Sequence, residues 1–176
     1  MTNFRTSVAV RFAAKHARAL KRSINFNETI KSSETAIFLM PWTSVEFYLA
    51  RSVVESLMRY FRRVVLVVSD NMRDVATYRS ELIVVSKADE GWLKLPSHDL
   101  ISRLKRENYD IAFDLSFSED IFMSYLCRKS DAKISAGFSK ANGDHFYDLQ
   151  IRVPEDGDMK KAYESLINTI KMFKEK

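Results

Sequence analysis

Cysteine, glycine and long apolar runs are all scarce in this chain of 176 residues, and each scarcity closes off a class of function. A single cysteine, Cys127, permits no internal disulfide, so the hydrophobic core must hold the fold, and a reducing, cytoplasmic setting fits. The four glycines, Gly91, Gly137, Gly143 and Gly157, spell neither a dinucleotide fingerprint nor a phosphate-binding loop, and none follows the first expected strand. No cofactor is therefore expected. His16, His98, His145 and Cys127 stand far apart without paired spacing, which argues against a metal site. The longest apolar stretches, Thr35 to Trp42 and Val64 to Ser69, are strand-sized and fall well short of the roughly 18 to 20 residues of a spanning helix. Acids are missing from the first 27 residues, which carry Arg5, Arg11, Lys15, Arg18, Lys21 and Arg22; arginines interrupt this stretch before a signal-peptide apolar region can form.

What is present describes a soluble globular domain: 46% apolar residues, 29% charged residues and a net charge of +5. The basic balance permits an anionic partner without naming one. From residue 35 onward strand-like and helix-like patterns alternate, with strands expected at 35–40, 64–69, 82–86, 110–115 and 133–137, and a sixth at 147–153. Helices are expected at 44–62, 97–107, 119–130 and 158–174, and 71–80 reads as short helix or loop. Such alternation predicts an α/β fold, a Rossmann-like three-layer αβα sandwich with a mostly parallel sheet of five or six strands. The expected division is 1–34, a basic helix and linker, and 35–176, the sandwich.

The amino-terminal segment 4–24 reads as an amphipathic helix. At 100° per residue Ala9, Val10, Ala13, Ala17, Leu20 and Ile24 share one side, and Arg11, Lys15, Arg18 and Arg22 share the other. That basic face is either solvated or a contact for an anionic membrane surface or phosphate. Aromatics do not interleave with it, which disfavours nucleic acid. Residues 25–34 read as a polar linker.

Ligands of open parallel sheets bind outside the carboxyl ends of the strands, which directs attention to Pro41–Ser44, Ser116–Asp120 and Phe138–His145. Thr43-x-x-Glu46 is also a capping box, and acids at Glu119 and Asp120 suit a first helical turn, so structural roles compete at both loops. Asp114, near the end of an expected central strand, reads equally as a ligand group or a cap. His145 could serve as an acid or base or simply sit in an exposed loop. Cys127 reads as a packed small hydrophobe, and Trp92 as a cover for the sheet edge that could alternatively stack on a sugar.

The run Glu107-Asn-Tyr-Asp-Ile-Ala-Phe-Asp-Leu-Ser116, followed by Tyr125-Leu-Cys-Arg-Lys-Ser-Asp-Ala-Lys-Ile-Ser-Ala-Gly-Phe138 and Leu149-Gln-Ile-Arg-Val-Pro-Glu155, resembles the amino-terminal domain of heptosyltransferase-type glycosyltransferases, glycosyltransferase family nine. The resemblance spans about residues 35 to 175 and implies the acceptor-side half of a GT-B enzyme, acting on lipopolysaccharide in the bacterial cytoplasm or at the inner membrane's surface. In that family the nucleotide-sugar is held by a second domain, and this chain stops where that domain would begin. The family's presumed catalytic aspartate follows a glycine after the first strand. Here Thr43-Ser44-Val45 aligns to that loop, the aspartate is missing, and Glu46 substitutes only if the loop shifts by one residue. The sequence also resembles a group of small single-domain bacterial proteins over almost its whole length, which implies a complete protein.

The expected function is a glycosyltransferase-like domain that binds a saccharide or glycolipid acceptor, or a partner protein, and is not catalytic alone. Trp42, Thr43, Ser44, Ser116 and Asp120 are the expected acceptor residues and Glu46 the acid or base, should a partner domain supply the activated sugar. The competing expectation is a basic module that places Arg11, Lys15, Arg18 and Arg22 against an anionic membrane or nucleic acid; a partner subunit or homodimer is a third.

Overall fold

The computed structural model describes residues 2–17, 24–75 and 80–175. Six strands run in one sheet: β1 (Thr35–Leu39), β2 (Arg63–Ser69), β3 (Glu81–Val85), β4 (Ile111–Asp114), β5 (Ile134–Phe138) and β6 (Leu149–Ile151). Their order is β3-β2-β1-β4-β5-β6 and every pairing is parallel. The central strands read as unbroken apolar runs because both faces are covered, which is what a parallel sheet between helical layers requires.

Alternate strand residues feed two cores. Phe38, Leu66 and Phe113 face a layer formed by α2 (Phe26–Ser32), α3 (Ser44–Leu57) and α6 (Met159–Lys174). Ile37, Val65 and Ala112 face α1 (Thr2–Ala17), α4 (His98–Leu104) and α5 (Ile121–Lys129). The strand order reverses between β1 and β4, the switch point outside whose strand ends open parallel sheets bind ligands.

Two amino-terminal expectations are corrected. The supposed linker contains α2, capped by Asn25, whose side chain accepts from the Glu28 amide at 3.3 Å and donates to its carboxylate at 3.0 Å. The predicted single helical face of 4–24 also fails: Ala13 and Ala17 pack on one side of the sheet, while Ile24 packs on the other. Arg18, Leu20 and Arg22 lie outside the described residues. The ambiguous segment forms 3₁₀ turns over Asp70–Val75, and 76–79 lie outside the described residues. Helix α3 ends at Leu57 and tightens into a 3₁₀ turn at Met58–Tyr60, short of the expected end.

A close approach explains the Gly-Phe segment. A Cβ on Gly137 would lie 2.7 Å from the Tyr147 ring, so only glycine lets that ring cross the end of β5.

Candidate functional site at the carboxyl ends of the strands

The loops after β1 and β4 are tied to each other by the residues expected to bind a ligand. Thr43 caps α3, its hydroxyl accepting from the Glu46 amide at 3.4 Å and donating to the Glu46 carboxylate at 3.1 Å. The other Glu46 oxygen accepts from the Phe117 amide at 3.3 Å, joining the loop after β1 to the loop after β4. Trp42 joins the same two loops: its indole donates to Asp120 Oδ2 at 2.7 Å, while Asp120 Oδ1 caps α5 through the Phe122 amide at 2.9 Å. Burial raises the Asp120 carboxyl above the usual carboxylate range, against the opposing pull of the Phe122 amide and the Trp42 indole.

Trp42, Thr43, Glu46 and Asp120 therefore come together on one rim, and Ser44 is exposed in the first turn of α3 beside them. Ser116 does not join them at the surface. It is buried, and its backbone amide and hydroxyl both donate to Asp114 Oδ1, at 2.9 and 2.6 Å.

Beneath that rim lies a polar cluster that reading the sequence missed. Asp114, fully buried, accepts from Lys140 at 2.9 Å and from the Tyr147 hydroxyl at 2.5 Å. The Lys140 ammonium, whose side chain is 5% exposed, also reaches Ser116 Oγ at 3.1 Å and Tyr147 Oη at 3.2 Å, so its three protons have three acceptors. Tyr147 in turn reaches Ser124 at 2.7 Å. Burial, then the Asp114 charge, raises the Tyr147 phenol far above its ordinary value and keeps it protonated. The ligand-or-cap alternatives for Asp114 both give way to this ion pair. A lysine just past a strand and a tyrosine in a loop carry no periodic signal, so only the fold brings them together.

Other candidates take plainer places. Cys127 is buried and donates to the Ala112 carbonyl at 3.7 Å, with burial pushing its thiol up. Asp110 accepts from the Glu34 and Thr35 amides at 2.8 and 2.9 Å, tying β4 to β1 at their amino ends. Trp92 does not cover the sheet edge: it is 85% exposed on a turn closed by Gly91 N–H to Leu95 O at 2.8 Å and Lys94 N–H to Gly91 O at 2.9 Å. Leu95 and Pro96 are the buried residues of that turn. On α1, Arg11 and Lys15 are exposed; Arg18 and Arg22 lie outside the described residues. Among the described residues no helix is long and apolar enough to cross a membrane.

The model of a family of unknown function, DUF6913, matches residues 12–173. The chain belongs to that family. A comparison with curated proteins finds no match. Among solved structures, this DUF6913 chain is similar to a family 9 glycosyl transferase from Veillonella parvula DSM 2008, at 23% identity and a TM-score of 0.56, over 78% of this chain and 42% of that one. It is also similar to the E. coli heptosyltransferase WaaC with ADP, at 11% identity and a TM-score of 0.58, over 77% of this chain and 46% of that one. The DUF6913 chain thus has a glycosyltransferase-like, Rossmann-like fold and spans less than half the length of either protein.

Proposed function

We propose that this DUF6913 protein is a binding domain of the glycosyltransferase acceptor-side type, which takes a saccharide at the carboxyl ends of β1 and β4 and does not transfer sugar by itself. The observation that carries this reading is the pairing of a half-buried indole, Trp42, with two carboxylates, Glu46 and Asp120, held at fixed positions across the topological switch. A pyranose offers an apolar C–H face and a rim of hydroxyl donors, which such a set matches. Each carboxylate oxygen used internally keeps a second lone pair for a sugar hydroxyl. Thr43 and Ser44 add exposed hydroxyls at the same edge.

The same geometry argues against Glu46 as a base. One oxygen accepts from Phe117 and the other from Thr43, so the carboxylate is steered by the backbone of two loops, where a general base must turn toward a substrate hydroxyl. Transfer would then draw on a separate donor-binding body. Val45 and Tyr48, 67% and 57% exposed on the first turns of α3, supply an apolar patch against which such a body could sit.

The test is a backbone amide NMR titration with a core-oligosaccharide acceptor, a nucleotide-sugar and a short anionic oligonucleotide at low and moderate salt. Salt-insensitive shifts at Trp42–Phe47 and Phe117–Asp120 with the oligosaccharide are expected. Shifts limited to the Arg11–Lys15 face, seen only with the oligonucleotide and lost with salt, would replace this reading by the anion-binding one.

A further inference from the structure

Helix α1 does more than cover the sheet. Its alanines, Ala9, Ala13 and Ala17, are buried, and small side chains let it approach α5 closely. Its last carbonyls are pinned there: Arg128 Nε donates to Ala17 O at 3.2 Å and Lys129 Nζ to His16 O at 2.8 Å. Toward its amino-terminal half the helix stands off the loops after β4 and β5. This leaves a groove of about 580 Å³ lined by Ser7, Val10, Arg11, Glu119, Asn142 and His145, with Ala14 beside them. A narrower chamber of about 70 Å³ shares Val10, Glu119 and Asn142 with it and reaches the buried Ser124 and Lys140.

The lining is of mixed character. Val10 and Ala14 offer apolar floor; Asn142 and His145 both donate and accept; Glu119 accepts, already oriented by the Ala141 amide at 3.1 Å. Arg11 brings a permanent positive charge and has no ion pair among the described residues. An apolar floor ringed by planar polar side chains suits a sugar ring, and a free guanidinium on the rim suits an anionic substituent on that ring.

We propose that the groove between α1 and the loop after β5 is a subsite for an acidic sugar, with its phosphate or carboxylate against Arg11 and its hydroxyls against Glu119, Asn142 and His145. The groove borders the Trp42–Asp120 rim through Glu119, so the inference rests on the saccharide reading for its ligand class, while its residues are separate.

The test is an NMR titration of the full chain with glucose 6-phosphate, glucuronate, glucose and inorganic phosphate, repeated on Arg11→Gln and His145→Gln. Both substitutions fall on exposed side chains and leave the Trp42 indole signal as a check on the fold. The expected result is saturable shifts at Asn142, His145 and the Arg11 side chain with glucose 6-phosphate, glucuronate or both, identifying the anion, and weaker shifts with glucose. Arg11→Gln should weaken binding of the acidic sugar about tenfold, as loss of a charged hydrogen bond does. The proposal is overturned if no acidic sugar moves these residues, if Arg11→Gln leaves affinity unchanged, or if inorganic phosphate binds as tightly as glucose 6-phosphate. Shifts at Trp42 with a core oligosaccharide but none in the groove with acidic sugars would defeat this inference alone. The reverse pattern would defeat the rim reading and leave the groove standing.

Discussion

Lys140 and Asp114 form a salt bridge almost wholly removed from water, and its value depends on keeping both halves. Removing two charges from solvent is expensive, and attraction offsets that only when the remaining protons and lone pairs are satisfied, as Ser116, Tyr147 and Ser124 do here. Lys140→Met alone should therefore destabilise the protein by roughly 3–5 kcal/mol, because it strands a buried carboxylate, whereas Asp114→Asn combined with Lys140→Met should recover much of that loss in denaturant unfolding. Two other aspartates give opposite pH signatures. Burial pushes the Asp110 carboxyl up, but Lys133 and the Glu34 and Thr35 amides outweigh it and bring it down to about 2. Its folded value lies below the unfolded one near 3.9, so its stabilisation is present above about pH 4 and is lost as pH falls toward 2. Asp120 is raised, so the fold holds its proton more tightly than the unfolded chain does, and its contribution falls as pH climbs from the unfolded value through the raised one. The Trp42 indole proton, bonded to Asp120, should report this as an NMR titration with a midpoint above the ordinary aspartate value. A midpoint at or below that value would contradict it.

At the scale of elements, the strands were legible because they carry their own signature. Ile37 to Leu39 and Val64 to Val68 are continuous apolar runs, and each expected strand lies within about two residues of an observed one. Helix α2 was not legible, since its seven residues have little amphipathic pattern and its only signal was the Asn25-x-x-Glu28 cap. Asn25→Ala should cost about 1 kcal/mol of stability if that cap holds the helix. The β5–β6 connection shows how a site escapes sequence reasoning: Gly137 was visible as part of a Gly-Phe segment, yet its purpose, clearance for Tyr147, depends on a contact ten residues away. Gly137→Ala should displace the Tyr147 ring, destabilise the fold by roughly 1–3 kcal/mol and expose the Asp114–Lys140 pair to exchange. Unchanged stability would show that the ring can move without penalty. The candidate rim was partly legible: Trp42, Thr43, Glu46 and Asp120 could be chosen from strand ends, while Ser116 turned inward because Asp114 claims it.

On the scale of the whole molecule, the parallel sheet of order β3-β2-β1-β4-β5-β6 puts its topological switch between β1 and β4, and the rim of Trp42, Thr43, Glu46 and Asp120 stands there. The relation to glycosyltransferases is one of fold, shared over about three-quarters of this chain at 23% and 11% identity. The amino-terminal pair of helices, α1 and α2, pack on opposite faces of the sheet, and α1 walls a groove of its own. Basic charge concentrated on α1 makes salt the natural discriminator between polar sugar recognition and electrostatic association. The most direct measurement is the Trp42 indole resonance during titration with a core oligosaccharide at low and moderate salt, with the exposed Trp92 indole as internal reference. Trp42 should shift saturably at both salt concentrations while Trp92 stays fixed. A silent Trp42, or a shift that vanishes with salt, would contradict saccharide binding at the β1/β4 rim.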